Sequence, residues 1–436
     1  MVEAAVQRDP RTLFAGTAES SCMTRAVGYE PRSVKQLLAE MKDIAELMID
    51  LSYSAVLLGS DEVAAAVLDL EAEMDVLQLR TRMSLLMAAR STDDAEALAP
   101  VLGIVGATEK ISDATGDIAK VVVEDIGLPP AMRAALPAAV ETLVRARVAP
   151  DARFAGRTLG GIDLESETGV RAIAIRRGEE WLMNPDRDTV LRPDDAVFLR
   201  GPEAGIAGVY RSTTGEHYAP PEAPDPTIAD LDRAMDSVVL MKNMSELGVD
   251  LAYGAVLFDS EDLAHEVVSL EAEVDHLQSR FEAWTLQAAT RVDEPVSLRG
   301  LVRLARSTEV ISDAAVEISE GVLRGLGSHP VIAEAVKESD EVIVRLSVES
   351  GSALDGATLG GRMVRTETGM GVIAVRRTTR ETVTAASVTD ESVTTVRDDW
   401  VVSPGPATEL AAGDVLLAKG PQTAAERLRA LAGTVP

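Results

Sequence analysis

Residues 70–75 read LEAEMD and residues 270–275 read LEAEVD, so nearly the same hexapeptide recurs 200 residues later. The same shift aligns Met41-Lys42 with Met241-Lys242, and TLGG at 158–161 with TLGG at 358–361. One constant offset holds from about residue 41 to residue 177, which indicates a tandem duplication. The period is far too long for a solenoid unit, so each copy is expected to contain complete domains.

The charge of the chain excludes several classes of partner. Lys and Arg total 42 against 71 Asp and Glu, a net charge of −29 in 436 residues. This charge repels nucleic acids and anionic membrane surfaces, so neither is expected as a partner. No apolar run approaches the roughly 18 to 20 residues of a spanning helix, so no direct membrane insertion is expected. The single cysteine, Cys22, excludes an internal disulfide framework, and the prediction is a cytoplasmic protein.

The acidity has a particular composition. Only seven lysines stand against 35 arginines, and aromatic residues make up 3% of the chain. A carboxylate-rich surface with few lysines suits a cytoplasm full of salt, where screening weakens self-repulsion. The composition is therefore interpreted as halophilic.

The first half of each copy has helical periodicity. In copy 1 this holds for residues 33–58, 61–90 and 94–126, with apolar positions such as Val63, Val67 and Leu70 on one face. Short turns join the segments, which predicts an antiparallel three-helix bundle at 30–127 and another at 228–327. Residues 1–29 lack clear periodicity and are predicted to be a disordered tail.

The second half of each copy reads as α+β. Residues 142–148, 170–175 and 196–199 resemble strands, which predicts a small α+β domain at 141–211 and its copy at 341–434. A Pro-rich linker is predicted at 212–227. The counterpart of Trp181 is Trp400, so about 19 extra residues lengthen a hairpin loop in copy 2. The predicted fold class is α and α+β multidomain, with two bundles alternating with two small α+β domains.

Signatures of catalysis are absent from the sequence. There is no G-x-G-x-x-G after a strand, no P-loop, no G-x-S-x-G and no H-E-x-x-H. The four histidines are scattered, and none has a histidine 200 residues away. The sequence therefore predicts a protein that is not an enzyme.

Four E-x-x-x-D pairs lie on predicted helices. Residues four apart share a helix face, where two like charges repel by a few tenths of a kcal/mol. A divalent or transition-metal cation would reverse that repulsion, because carboxylates from neighbouring helices can converge on it. The alternative is a solvated acidic face, since Glu109 and Asp113 lie opposite the apolar stripe through Ile111. The candidate ligands are Glu71, Asp75, Glu109, Asp113, Glu271, Asp275, Glu309 and Asp313.

The segments 109–119 and 309–319 resemble the E-[R/K]-I-[G/S]-D-x-A helix of PhoU-like bundles, and 70–75 and 270–275 resemble that family's first E-x-x-x-D helix. The resemblance implies that the eight carboxylates line metal clusters on the bundle surfaces. It also implies that the two bundles pair about a pseudo-twofold axis. Two residues depart from the motif. Val310 replaces its usual basic residue, and Thr115 stands one place after Ala114, where the motif has alanine.

A second resemblance covers the α+β halves. Residues 156–164, 167–178 and 193–202 are similar to the TrkA C-terminal (RCK-C) domain, as are 356–364, 367–377 and 413–421. RCK-C domains are regulatory modules of potassium channels and transporters, and some bind cyclic di-AMP at a dimer interface. The resemblance thus implies a homodimer, with pairing of the two copies within one chain as the alternative. The Rossmann-type half that usually precedes RCK-C is missing, so no NAD or ATP site is implied.

Arginines of the α+β halves are the candidate contacts for an anionic ligand, because cations are scarce in this chain. The alternative is that they pair with local carboxylates. The candidates are Arg171, Arg176, Arg177, Arg376 and Arg377.

Together these features predict a cytoplasmic regulator of potassium (cation) transmembrane transport. It is expected to sense a small ligand or metal and to bind a membrane potassium channel or transporter, so it would lie peripherally at the membrane through that partner. The alternative is a phosphate-uptake regulator of the PhoU type.

Overall fold

The computed structural model describes most of the chain, with gaps at the termini, between the domains and at some positions within the α+β domains. The predicted tail at 1–29 and residues 220–227 of the predicted linker lie outside the described residues. The described residues are 32–128, 142–162, 164, 168–178, 180–183, 185–201, 203–219, 228–325, 341–383, 393–402 and 404–433.

Three long helices begin the described chain: α1 (Val34–Leu58), α2 (Asp61–Ala88) and α3 (Thr92–Val123). A serine caps the start of each helix with its hydroxyl, because Ser33, Ser60 and Ser91 accept from the backbone amides of the first turn. Gly59 ends α1 in the left-handed region, at a φ of 61°. The helices pack as the antiparallel bundle that the short turns predict.

A four-stranded antiparallel sheet follows, in the order β1-β4-β2-β3. Gly201 lies where a Cβ atom would come within 2.8 Å of the Gly169 carbonyl oxygen, so this position requires glycine. The second copy repeats that close approach at Gly420 and Gly369. The elements are β1 (Thr142–Arg147), α4 (Leu159–Ile162), β2 (Arg171–Arg177), β3 (Glu180–Met183), β4 (Ala196–Gly201) and α5 (Glu203–Thr214). Helix α5 extends to Thr214, into the segment that the sequence predicts as linker.

The second copy repeats this order of elements. Its helices are α6 (Ala229–Phe258), α7 (Glu261–Ala289) and α8 (Arg299–Leu323), with a 3₁₀ turn at Pro295–Leu298. Its sheet has the order β5-β8-β6-β7, the same topology as the first sheet. The elements there are β5 (Glu341–Ser347), α9 (Val364–Thr368), β6 (Gly371–Val383), β7 (Val393–Val402), β8 (Val415–Pro421) and α10 (Gln422–Ala432). The prediction of a helical chain with two small α+β units is confirmed.

The insertion of copy 2 lengthens the strands of a hairpin as well as its connection. Trp400 pairs with Arg376 as Trp181 pairs with Arg176, which confirms the alignment. Beyond that point β6 and β7 continue to the pair Val383 and Val393. Much of the inserted sequence is therefore regular β-structure, and residues 384–392 lie outside the described residues.

The two bundles share one apolar core, while each sheet has a small core of its own. The bundles meet mainly through α3 and α8, and buried residues such as Met48, Ile111 and Ile311 belong to the same cluster. Phe198 extends this cluster into the first sheet. The sheets therefore sit against a paired helical body, and their inner faces lie close to α1 and α6.

Candidate functional site

Helices α1 and α6 occupy equivalent places in the repeat and carry the same row of charges. The row is Lys42, Glu46 and Asp50 on α1, and Lys242, Glu246 and Asp250 on α6. Because residues four apart share a helix face, each row forms a stripe along one side of its helix. Arg200 of β4 and its counterpart Lys419 of β8 approach these stripes, and we call the eight residues together the charged seam.

A cation of each sheet faces the helices at the seam, and for the first sheet it forms an ion pair. Lys42 pairs with Glu46, and Lys242 with Glu246. One guanidinium nitrogen of Arg200 donates to Asp50 at 2.6 Å and to Glu246 at 3.4 Å. On the other side, Lys419 attracts Asp250. One cation from each sheet therefore meets an aspartate of the paired bundles.

Burial in the seam makes two of its carboxyl groups easier to protonate than an exposed carboxyl group. Burial and then the charge of Glu246 raise the pKa of Asp50 to about 6. Burial and then the charge of Glu46 raise the pKa of Asp250 to about 7. Burial alone would raise the pKa of Glu246 too, but Lys242 and Arg200 lower it to about 2. Burial thus favours the neutral form of Asp50, while Lys242 and Arg200 favour the charged form of Glu246.

Two tyrosines join the bundles beside the seam. The Tyr53 hydroxyl lies 2.5 Å from the Thr308 hydroxyl, and Tyr253 lies 2.7 Å from Thr108. The ammonium group of the opposite bundle's seam lysine lies 6.0 Å from the Tyr53 ring centroid and 5.8 Å from that of Tyr253. Such distances allow cation–π attraction. A seam lysine of each half thus lies against a tyrosine of the other half.

Two adjoining clefts open onto the seam, with volumes of about 690 Å³ and about 300 Å³. Apolar side chains such as Leu143, Val239 and Val372 form part of the larger cleft. Both volumes are in or near the range of small-molecule sites. Six charged residues line both clefts: Asp50, Arg171, Arg200, Glu246, Asp250 and Lys419.

The structure brings the predicted carboxylates of each bundle near one another. Burial, followed by the charges of Asp275, Asp313 and Glu309, raises the pKa of Glu271. In the first bundle, burial is again the main cause that raises the pKa of Glu71, with Lys120 opposing it. The two E-x-x-x-D motifs of a bundle therefore interact across neighbouring helices.

The two bundles differ in how these carboxylates are compensated. Lys120 donates to Glu71 at 3.2 Å, and Arg82 donates to Glu109 at 3.0 Å. The residues 200 positions later are Glu320 and Glu282, so the second bundle has lost both cations. Across the described ranges, no three His, Cys, Asp or Glu side chains are placed to hold a metal ion. Metal binding by the eight carboxylates stays a prediction.

Arg177 and Arg377 each pair with an aspartate of their own sheet. Arg177 donates two hydrogen bonds to the buried carboxylate of Asp195, at 2.9 and 2.8 Å. Arg377 donates two to Asp414, at 2.8 and 2.6 Å. These bidentate pairs fix the turn before β4 and before β8, since both aspartates also accept from a backbone amide there. The geometry favours the alternative of local carboxylate pairing for these two arginines.

Arg176 and Arg376 instead hold the sheets on the helices. Arg176 lies 2.6 Å from Asp69 of α2, and Arg376 lies 2.9 Å from Glu266 of α7. Of the five candidate arginines, Arg171 is the one that lines the clefts. The ligand-binding role of the five stays a prediction, and the clefts favour Arg171 for it.

Sequence reasoning did not single out the charged seam, although its signal was present. The row Lys-x-x-x-Glu-x-x-x-Asp recurs at the 200-residue offset, inside helices whose other faces are apolar. Duplicated charges within an apolar helix are a sign of a buried network rather than of a solvated face. The cations that complete the seam, Arg200 and Lys419, lie on distant strands and need the fold to be recognised.

Comparison with known proteins supports both resemblances. Residues 38–122 and 238–322 each match the PhoU domain, and residues 143–213 match the TrkA-C domain. No curated protein matches the chain. No helix of the described part is both long and apolar enough to span a membrane.

Among solved structures, the chain is similar to PhoU from Pseudomonas aeruginosa, with 13% identity, 67% of this chain and 96% of that chain covered, and a TM-score of 0.38. It is also similar to the RCK domain of GsuK, with 14% identity, 68% and 64% covered, and a TM-score of 0.17. The GsuK channel bound to NAD matches at 14% identity, 68% and 53% covered, and a TM-score of 0.17. The chain thus spans just over half of that channel subunit.

Proposed function

Because the chain contains two PhoU domains and a TrkA-C domain, we propose that it is a non-enzymatic, cytoplasmic regulator of potassium (cation) transport. It would bind a membrane channel or transporter and respond to a small ligand, with cyclic di-AMP among the candidates. The charged seam is the observation that carries this proposal. Arg200 connects a sheet to carboxylates of both bundles, so we infer that a ligand-induced change at the sheet would reach the bundles through it.

We propose that the second sheet is also a TrkA-C domain. Its strand order repeats that of the first sheet, and its close glycine contact and buried arginine–aspartate pair recur. Two such domains within one chain allow the sheets to pair internally, while a homodimer would pair them between chains.

Phosphate-uptake regulation is the alternative, and one observation favours it. The PhoU matches cover 85 residues in each copy, against 71 residues for the TrkA-C match. Under this alternative the paired bundles would contact the phosphate transporter or its sensor, and the sheets would be accessory.

Capture from native membranes tests the two functions. The full tagged chain should recover a potassium channel or transporter from solubilised membranes, and its deletion should change potassium uptake by the cells. Recovery of a phosphate transporter, with altered phosphate uptake only, would contradict the proposal and support the alternative. Arg200→Gln should keep the capture but abolish the effect on uptake, because it cuts the link between sheet and bundles. Arg147→Gln is the control, since Arg147 lies on the exposed rim of the same sheet.

We propose that the second bundle, and not the first, binds a divalent cation, because its four carboxylates lack the cations that Lys120 and Arg82 supply in the first. Protein purified in the presence of divalent cations should lose metal in the variant Asp275→Asn plus Asp313→Asn. The matched variant Asp75→Asn plus Asp113→Asn should retain it. Elemental analysis measures both, and equal metal content in all three proteins would remove the site.

A further inference from the structure

The charged seam is electrically balanced by its own repeat. It contains four cations, which are Lys42, Lys242, Arg200 and Lys419, and four carboxylates, which are Glu46, Glu246, Asp50 and Asp250. Each residue has a counterpart of the same charge in the other copy. At the larger cleft this set supplies three cations and three carboxylates, so any excess of formal charge there comes from residues that differ between the copies.

Two cations at the larger cleft belong to that second group. Arg171 corresponds to Gly371, and Arg365 corresponds to Glu165. Both arginines line the larger cleft. In the same cleft Asn243 stands where the other copy has Asp43, so a carboxylate has been replaced by a neutral amide. All three differences make the larger cleft more positive.

The two clefts consequently differ in the sign of their charge. Among the described residues, five cations and three carboxylates line the larger cleft. Three cations and five carboxylates line the smaller one, because Asp43 and Glu46 join it while Lys242 and Arg365 do not. The chain as a whole has 42 cations for 71 carboxylates, so a cleft with an excess of two positive charges departs from its surroundings.

We propose that the larger cleft binds a small organic phosphate monoester. A phosphate monoester carries close to two negative charges at pH 7, which matches the excess. Its tetrahedral oxygens accept from several directions, and the cations approach from α6, β2, β4, β8 and α9. Leu143, Val239 and Val372 offer contact to an apolar or ring-shaped body, in a volume of about 690 Å³.

Such a ligand would join both sheets to the bundles. Arg171 and Arg200 belong to the first sheet, Arg365 and Lys419 to the second copy's α+β unit, and Lys242 to α6. An anion shared by these groups draws the three units together. It also competes with Asp50 and Glu246 for Arg200. The inference deepens the proposed function, since it names the class of ligand that would act on the seam.

Isothermal titration of the full chain with 5′-AMP, in about 0.15 M KCl without phosphate, tests the site. We expect AMP to bind with a Kd below about 1 mM, and adenosine, which lacks the phosphate, not to bind. Arg171→Gly and Arg365→Gln should each weaken AMP binding at least tenfold. Both arginines are exposed, so these variants are expected to fold. Asp43 lines the smaller cleft and not the larger one, so Asp43→Asn should leave the Kd within about twofold.

Several results would overturn the inference. They are the absence of AMP binding, equal binding of adenosine, tighter binding of succinate than of AMP, and an unchanged Kd in both arginine variants. Cyclic di-AMP carries two separate phosphodiesters and no phosphate monoester. If it binds Arg365→Gln as tightly as the wild type, its binding site is not the larger cleft. The titration needs no membrane partner. AMP binding with failed membrane capture would therefore overturn the proposed function alone, and the reverse pattern would overturn this site alone.

Discussion

Replacing Glu266 with alanine should weaken the attachment of the second sheet to the bundles. We expect the free energy of unfolding, followed at that sheet, to fall by about 3 to 5 kcal/mol. The Glu266 side chain is only 3% exposed and accepts from two arginines of the sheet, Arg345 at 2.7 Å and Arg376 at 2.9 Å. Its loss leaves two guanidinium groups facing α7 without their carboxylate. Urea unfolding followed through Trp400, in a background of Trp181→Phe and Trp284→Phe, reports the change because Arg376 lies over the Trp400 ring.

The first copy provides the matched control for this prediction. Its Arg176 pairs with Asp69, whose side chain is 50% exposed, and the position equivalent to Glu266 is Ala66. Asp69→Ala should therefore cost less than about 1 kcal/mol, because solvent already screens that pair. In a background of Trp284→Phe and Trp400→Phe, Trp181 reports on this sheet, since Arg176 lies over its ring. Equal losses in the two variants would show that burial of Glu266 does not determine how the second sheet is held.

The arrangement of helices and strands could be predicted from sequence because its signals are local. Ser60 and Ser260 sit before their helices in both copies and cap them. The recurring TLGG turn and the displaced tryptophan, Trp400, place the strands of the second sheet correctly. Each of these signals depends on residues within a few positions of one another, and the duplication states each of them twice.

The charged seam could not be predicted in the same way, since its members come together only through long-range packing. Arg200 and Asp50 are 150 positions apart, and Tyr53 and Thr308 are 255 apart. The pairing of Arg176 and Arg376 with helix carboxylates likewise requires the docking of sheet on helix. In a chain this acidic, the sequence alone does not distinguish a buried carboxylate such as Asp250 from the many at the surface. The halophilic interpretation of that composition stays a prediction.

Replacing Asp250 with asparagine should change the pH dependence of stability. Burial and the charge of Glu46 raise the pKa of Asp250 to about 7, whereas in the unfolded chain it titrates near 3.9. Between these values the folded chain holds a proton that the unfolded chain has released, so the wild-type free energy of unfolding falls as the pH rises from about 4 to about 7. The variant lacks this contribution. We expect the free energy of unfolding of the variant to exceed that of the wild type by about 1 to 3 kcal/mol at pH 8, and the difference to vanish near pH 4.

The comparison requires a variant that removes the same charge elsewhere. Asp69→Asn serves, because Asp69 lies on α2 outside the seam and lines neither cleft, and an equal pH-dependent gain in both variants would assign the effect to overall charge rather than to the site of Asp250. A loss of stability in Asp250→Asn at pH 8, instead of the expected gain, would also be informative. Lys419 and Lys42 both attract the Asp250 carboxylate, and their attraction works against burial. If Asp250→Asn proves less stable than the wild type at pH 8, these two lysines outweigh burial, and the second sheet is held to α6 by a fully ionised pair.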